Sequence, residues 1–81
     1  MKSLPSFAEE AYVYLLKNSV FFSIEDVSLV YKSKGFTSFV LDSGAEVRVF
    51  DNGKVVLWPP GEDSGIVLVE AKKEEVRAGE L

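Results

Sequence analysis

Apolar positions fall first at helical spacing and then, from residue 36 onward, in short alternating runs. Phe7, Ala8, Ala11, Tyr12, Leu15 and Leu16 recur at three- and four-residue steps, which sets one apolar stripe along a helix. Ser6 stands three residues before Glu9, the capping-box spacing in which hydroxyl and carboxylate satisfy each other's exposed backbone amides. Glu9 and Glu10 fall in the first turn and Lys17 near the end, as the helix dipole favours. The pattern predicts a helix over residues 6–18.

Residues 19–23 read as a short extended link. Ser23 then opens a second candidate helix, with Glu25 and Asp26 in its first turn and Gly35 beyond its end, where a left-handed residue is usual. Ile24, Val27, Val30 and Tyr31 fit helical spacing, while Val27, Leu29 and Tyr31 fit strand alternation equally well. Residues 24–33 are therefore readable both ways, and the capping signals favour helix.

Beyond Gly35 the runs are β-rich: Phe36–Leu41, Ala45–Phe50, Lys54–Trp58 and Ile66–Ala71. Asp42-Ser43-Gly44 separates the first two, and Asn52-Gly53 the next two. Asn-Gly between β-branched runs is a strong hairpin signal, because a type I′ turn needs positive φ at both central positions. Pro59-Pro60-Gly61 ends the third run, since proline cannot donate to a ladder. The expected fold class is α+β: one or two N-terminal helices packed on a three- to four-stranded antiparallel β-meander. Residues 1–71 are expected to form a single domain, and the charged segment 72–81 a frayed or disordered tail.

The turns also set an expected register. A two-residue Asn52-Gly53 loop pairs Phe50 with Val55, Val49 with Val56, Arg48 with Leu57 and Val47 with Trp58. A three-residue Asp42–Gly44 loop with its glycine in a bulge pairs Phe39 with Val47 and Thr37 with Val49. One face then carries Thr37, Phe39, Leu41, Ala45, Val47, Val49, Val56 and Trp58, and should lie under the first helix. The other carries Phe36, Ser38, Val40, Glu46, Arg48, Phe50, Val55 and Leu57. A solvated antiparallel face is usually polar, so this mixed face marks either a covered surface or an interaction site. Its candidate binding residues are Phe36, Val40, Arg48, Phe50, Val55 and Leu57.

Composition narrows the function classes. In 81 residues, 47% of them hydrophobic, there is no cysteine and no histidine. Disulfides and thiolate or imidazole metal sites are thereby excluded. A chain this short buries a modest fraction of its surface, so an apolar surplus without staples suggests a shared interface. The net charge of −4 argues against a general nucleic-acid binder. No apolar run approaches the roughly 20 residues of a membrane span. Met1-Lys2-Ser3-Leu4-Pro5-Ser6 lacks the features of a signal peptide, and a cytoplasmic location is expected. Glutamine is absent, and Asn18 and Asn52 are the only asparagines. That depletion follows a trend of hyperthermophile proteins, and in a short chain it also arises by chance.

Candidate chemistry is sparse. Most of the carboxylates sit in helix first turns, tight turns or the charged tail, and the usual nucleophile–base pairs are unavailable. Glu62-Asp63-Ser64 with Asp42 or Asp51 does not follow a calcium-loop spacing. The expectation is a small non-catalytic protein-interaction module, without cofactor or metal, that self-associates through the mixed sheet face or an edge strand, as a homodimer, or else binds another protein. The alternative is nucleic-acid binding, with bases stacked on Phe36, Phe50 and Arg48 beside Lys32 and Lys34. A degenerate winged helix is its second form. The segment that would have to be the recognition helix, residues 35–43, is β-rich and carries no Arg, Lys, Asn or Gln to read bases.

Overall fold

The computed structural model describes residues 1–72. The chain is α+β, with helix α1 (Ser6–Lys17), a single 3-10 turn at Ile24–Asp26, and five strands. These are β1 (Val27–Ser33), β2 (Phe36–Leu41), β3 (Glu46–Phe50), β4 (Val55–Trp58) and β5 (Ile66–Val69). All neighbours are antiparallel, in the spatial order β1-β2-β3-β4-β5. The meander thus has five strands where three or four were expected, because the second candidate helix is a strand.

A bulge explains the deceptive spacing in that segment. Ser23 does cap, its Oγ accepting the Glu25 N–H at 3.1 Å, yet the helical turn ends at Asp26. Between Val27 and Leu29 the β1–β2 register shifts by one residue, and a bulge of this kind breaks the two-residue alternation. Val27 opposite Leu41 and Val30 opposite Phe39 therefore share one face, although they stand three residues apart. Both are buried. Their spacing resembles a helix period, but its source is an irregular strand. Gly35 takes positive φ as anticipated, in the two-residue Lys34-Gly35 turn to β2.

The helix begins at Ser6, with Pro5 as its N-cap and no side-chain cap bond. The predicted Ser6–Glu9 capping box is not formed, because Ser6 is already inside the first turn. Proline at φ −59° sets the entry of the chain instead, its ring fixing that angle in advance. At the other end Asn18 Nδ2 donates to the Tyr14 carbonyl at 2.8 Å.

One helix covers only part of this sheet. Its 12 residues make a rod about 18 Å long and about 10 Å across. Five strands about 4.8 Å apart span roughly 19 Å. Ala8 and Leu15 of α1 meet Val27, Val30, Phe39, Val47, Val49 and Val55 in the core. Burial then declines across the same face, with Leu57 and Val69 half-buried and Ile66 exposed. Tyr12 packs edge-on to Phe22, whose ring tilts against Phe39. The Tyr14 hydroxyl donates to the Gly53 carbonyl at 2.6 Å, tying the helix to the β3–β4 turn.

The ladder ends earlier than the sequence pattern, at Val69 rather than residue 71. Lys72, assigned to the tail, is held by a backbone bond from its N–H to the Asn52 carbonyl. The expectation of a frayed tail otherwise falls on residues 73–81, outside the described residues. No helix among the described residues is long and apolar enough to cross a membrane.

Candidate functional site

The site candidate is the sheet face turned away from α1, and its membership depends on the β3–β4 turn. The register there is Val49 opposite Val55, Val47 opposite Leu57, Arg48 opposite Val56 and Glu46 opposite Trp58. It differs by one residue from the expected register. Asp51, Asn52 and Gly53 form a three-residue loop in which Phe50 N–H bonds the Lys54 carbonyl and Gly53 N–H the Phe50 carbonyl. Only Gly53 has positive φ, and Asn52 does not. A type I′ turn would need both.

The Asp42-Ser43-Gly44 loop has the same bonding: Leu41 N–H to the Ala45 carbonyl, and Gly44 N–H to the Leu41 carbonyl. There the expected register is the observed one, Phe39 opposite Val47 and Thr37 opposite Val49. Asp-Ser-Gly and Asp-Asn-Gly are one pattern. Treating the two loops alike would have set both registers correctly.

The slip moves side chains between faces. Val55 is fully buried in the core and Leu57 packs against it from the same side. Neither lies on the outer face, where the sequence reading had placed them. Val56 and Trp58 take their places. Phe36, Val40, Arg48 and Phe50 do lie on the outer face, as pairing with Phe50, Glu46, Ser38 and Phe36 respectively requires. Leu29 and Tyr31, opposite Val40 and Ser38, extend it onto β1, and Val67, opposite Val56, onto β5. Tyr31 was missed because its segment read as helix, and Trp58 because of the slip.

At the centre of this face sits one carboxylate. Glu46 Oε2 accepts from Tyr31 Oη at 2.7 Å, Ser38 Oγ at 2.5 Å and Arg48 Nε at 2.7 Å. Partial burial raises the Glu46 pKa, but the bonds from Ser38, Arg48 and Tyr31 and the Arg48 charge outweigh it, and the net shift is downward. The bond to Glu46 in turn raises the Arg48 pKa. The guanidinium lies between two rings, 5.0 Å from the Phe36 centroid and 5.2 Å from that of Trp58, the geometry of cation–π attraction. Phe36 also contacts Phe50 and Tyr31, at centroid distances of 5.3 and 6.1 Å.

Trp58 is wedged tightly. A Cβ on Gly65 would overlap Val56 Cγ1 and stand 3.0 Å from Trp58 Cε2, so only glycine lets the chain cross there. Trp58 Nε1 is buried without a hydrogen-bond partner among the described residues. The face is therefore an interlocked patch of rings around a neutralised ion pair. Its chemical capacity is contact and stacking, since its central cation, Arg48, is already engaged.

Two other surfaces stand out. A groove of about 480 Å³ lies on the helix side, lined by Phe7, Tyr14, Lys32, Asp51 and Lys72 among others. Its charges are of both signs. The edge strand β5 exposes Ile66, Val67 and Leu68 at 52%, 42% and 41%, the longest run of exposed large apolar residues among the described residues. No group of three or more metal-ligating side chains occurs among the described residues. No protein-family model, curated protein or solved structure matches the chain.

Proposed function

We propose that this chain is a small non-catalytic interaction module that self-associates through its incompletely covered sheet. The observation that carries this reading is the gap between sheet and helix. Among the described residues, one 12-residue helix leaves the outer face and the β5 margin open, and that margin is apolar. Contiguous apolar surface of this kind on a small soluble domain marks a place of contact. A cytoplasmic setting is part of the same proposal, resting on the acidic charge balance and the lack of a long apolar run.

Nucleic-acid binding is the weaker reading on chemical grounds. Phosphate affinity comes from free Lys and Arg charges, whereas the Arg48 Nε is already bonded to Glu46. Lys32, opposite Thr37, lies on the helix side of the sheet, the side away from Phe36 and Arg48.

Light scattering over a dilution series tests the proposal. Mass is expected to rise from 9.0 kDa toward twice that value with concentration. A monomer up to about 500 μM would exclude any self-affinity of biological use. The rival reading predicts salt-sensitive oligonucleotide binding weakened by Arg48→Ala and Phe50→Ala, and no retention at low salt excludes it.

A further inference from the structure

The open sheet offers a second copy two routes, stacking of outer faces or pairing of edges, and the energetics separate them. Stacking would enclose the Glu46–Arg48 pair, whose side chains are still 19% and 30% exposed. Full desolvation of an ion pair is costly unless new partners compensate, and a second identical face brings only its own satisfied pair. Edge pairing leaves this centre in water.

The two edges differ as well. On β1 a bulge follows Val27, the amino terminus donates to the Val27 carbonyl at 3.1 Å, and Lys32 stands near the far end. Bulges, lysines and covering segments are devices that block edge-to-edge pairing. On β5 the residues are Ile66-Val67-Leu68-Val69 with no charge among them, and no strand among the described residues pairs with its outer side. Val69 opposes Val55 while Val67 opposes Val56, so Leu68 is an inserted residue; both edges carry a bulge, and what separates them is the lysine and the covering amino terminus of β1, which β5 lacks among the described residues. Ile66 and Val69 therefore share the helix side of the sheet, and Val67 stands on the other.

Charge selects the direction. The meander sends its turns alternately to two ends of the sheet. Glu25, Asp26, Asp42, Glu62 and Asp63 gather at the end where β5 begins, with Lys2 and the amino terminus nearby. Lys34, Lys54 and Lys72, with Asp51 and Glu70, gather where it ends. Parallel pairing of two β5 strands would set acidic end against acidic end. Antiparallel pairing sets each acidic end against the opposite end of the other copy, where among the described residues lysines outnumber carboxylates by one.

We infer that two copies of this chain join through β5, antiparallel across a two-fold axis between Val67 and Leu68, into one continuous ten-stranded sheet. Ile66 then lies opposite Val69 of the second copy on the matching face, and Asp63 opposite Lys72 of the second copy, twice over. This rests on the self-association reading and specifies its surface. An isologous contact of this kind closes at the dimer, leaving the protected β1 strands as the outer edges.

The test is light scattering on the full chain and its variants, with circular dichroism as a check on folding. Val67→Lys places a charge in the apolar edge and is expected to weaken association by at least about tenfold, as edge lysines do in natural sheets. Asp63→Lys should weaken it by a few-fold, and Asp63→Lys with Lys72→Asp should restore it, an effect reduced in salt as screening requires. A dimer untouched by Val67→Lys but dissociated by Phe50→Glu overturns the β5 assignment while sparing self-association. Failure of the charge swap to rescue overturns the two-fold register. A wild-type monomer at every concentration removes both the inference and the reading beneath it.

Discussion

Replacing Glu46 with alanine is the sharpest perturbation of the outer face, because three donors converge on one of its oxygens. Ser38 is fully buried, so its hydroxyl would lose its only acceptor among the described residues, away from bulk water. An unsatisfied buried polar group costs about 1–3 kcal/mol. Tyr31 and Arg48 are partly exposed, and water would replace much of what they lose, adding at most about 1 kcal/mol. The expected loss for Glu46→Ala is about 2–3 kcal/mol. For a domain of this size it corresponds to a fall in Tm of about 10–20 °C.

Urea unfolding measures the loss, with an unchanged slope reporting that the native surface is retained. Ser38→Ala with Glu46→Leu and Arg48→Met should recover most of the loss, since the buried hydroxyl is removed along with its acceptor and an ion pair replaced by apolar residues of similar volume is often neutral. A loss below about 0.5 kcal/mol for Glu46→Ala, within the range of ordinary surface substitutions, would refute the convergent geometry.

Three further outcomes are expected. The Glu46 carboxyl has a folded pKa below its ordinary value of 4.5; its contribution to stability is therefore fully present above the unfolded value and lost as pH falls through the folded one. Acid unfolding curves of wild type and Glu46→Gln should thus converge below that range, and parallel curves would refute the shift. Gly65→Ala forces a methyl onto Val56 and the Trp58 ring; overpacking costs about 1–3 kcal/mol, and Trp58 fluorescence should shift with it. Tyr14→Phe removes the 2.6 Å bond to Gly53 at about 1 kcal/mol, with faster amide exchange at the β3–β4 turn as the local readout.

The meander and the first helix were legible because their signals are local: a period of three to four residues in one case, turn glycines between β-branched runs in the other. The errors arose where one irregular residue changed the phase of a strand. At Val27–Val30 the bulge produced helical spacing within a strand. At Asp51–Gly53 the loop closes one residue earlier than Asn-Gly alone implies, because Asn52 keeps negative φ and its Oδ1 accepts the Lys54 N–H at 3.0 Å. That single residue sends Val55 and Leu57 inward and turns Val56 and Trp58 outward. Four of the six candidate surface residues survive because they belong to β2 and β3, whose register rests on the other turn. The Glu46 network was not legible, since it joins β1, β2 and β3 laterally and one partner, Tyr31, lay in the misread segment.

The two halves of the open surface have opposite consequences for association. Packing rings around an ion pair lets the outer face bury much of itself: Ser38 and Val56 are buried with no helix or strand among the described residues stacked on that face. Such a face gains little from a partner and would have to desolvate Glu46 and Arg48 to accept one. The β5 edge has no such internal solution, because Ile66, Val67 and Leu68 are exposed and no strand among the described residues pairs with its outer side. The charged centre therefore acts as a selector: it holds its own face in solvent and leaves the edge as the favourable contact. On this view Ser38→Ala with Glu46→Leu and Arg48→Met, close to neutral for the monomer, should lose selectivity and form assemblies larger than two. A triple variant that stays strictly dimeric would show that the pair contributes stability and no discrimination.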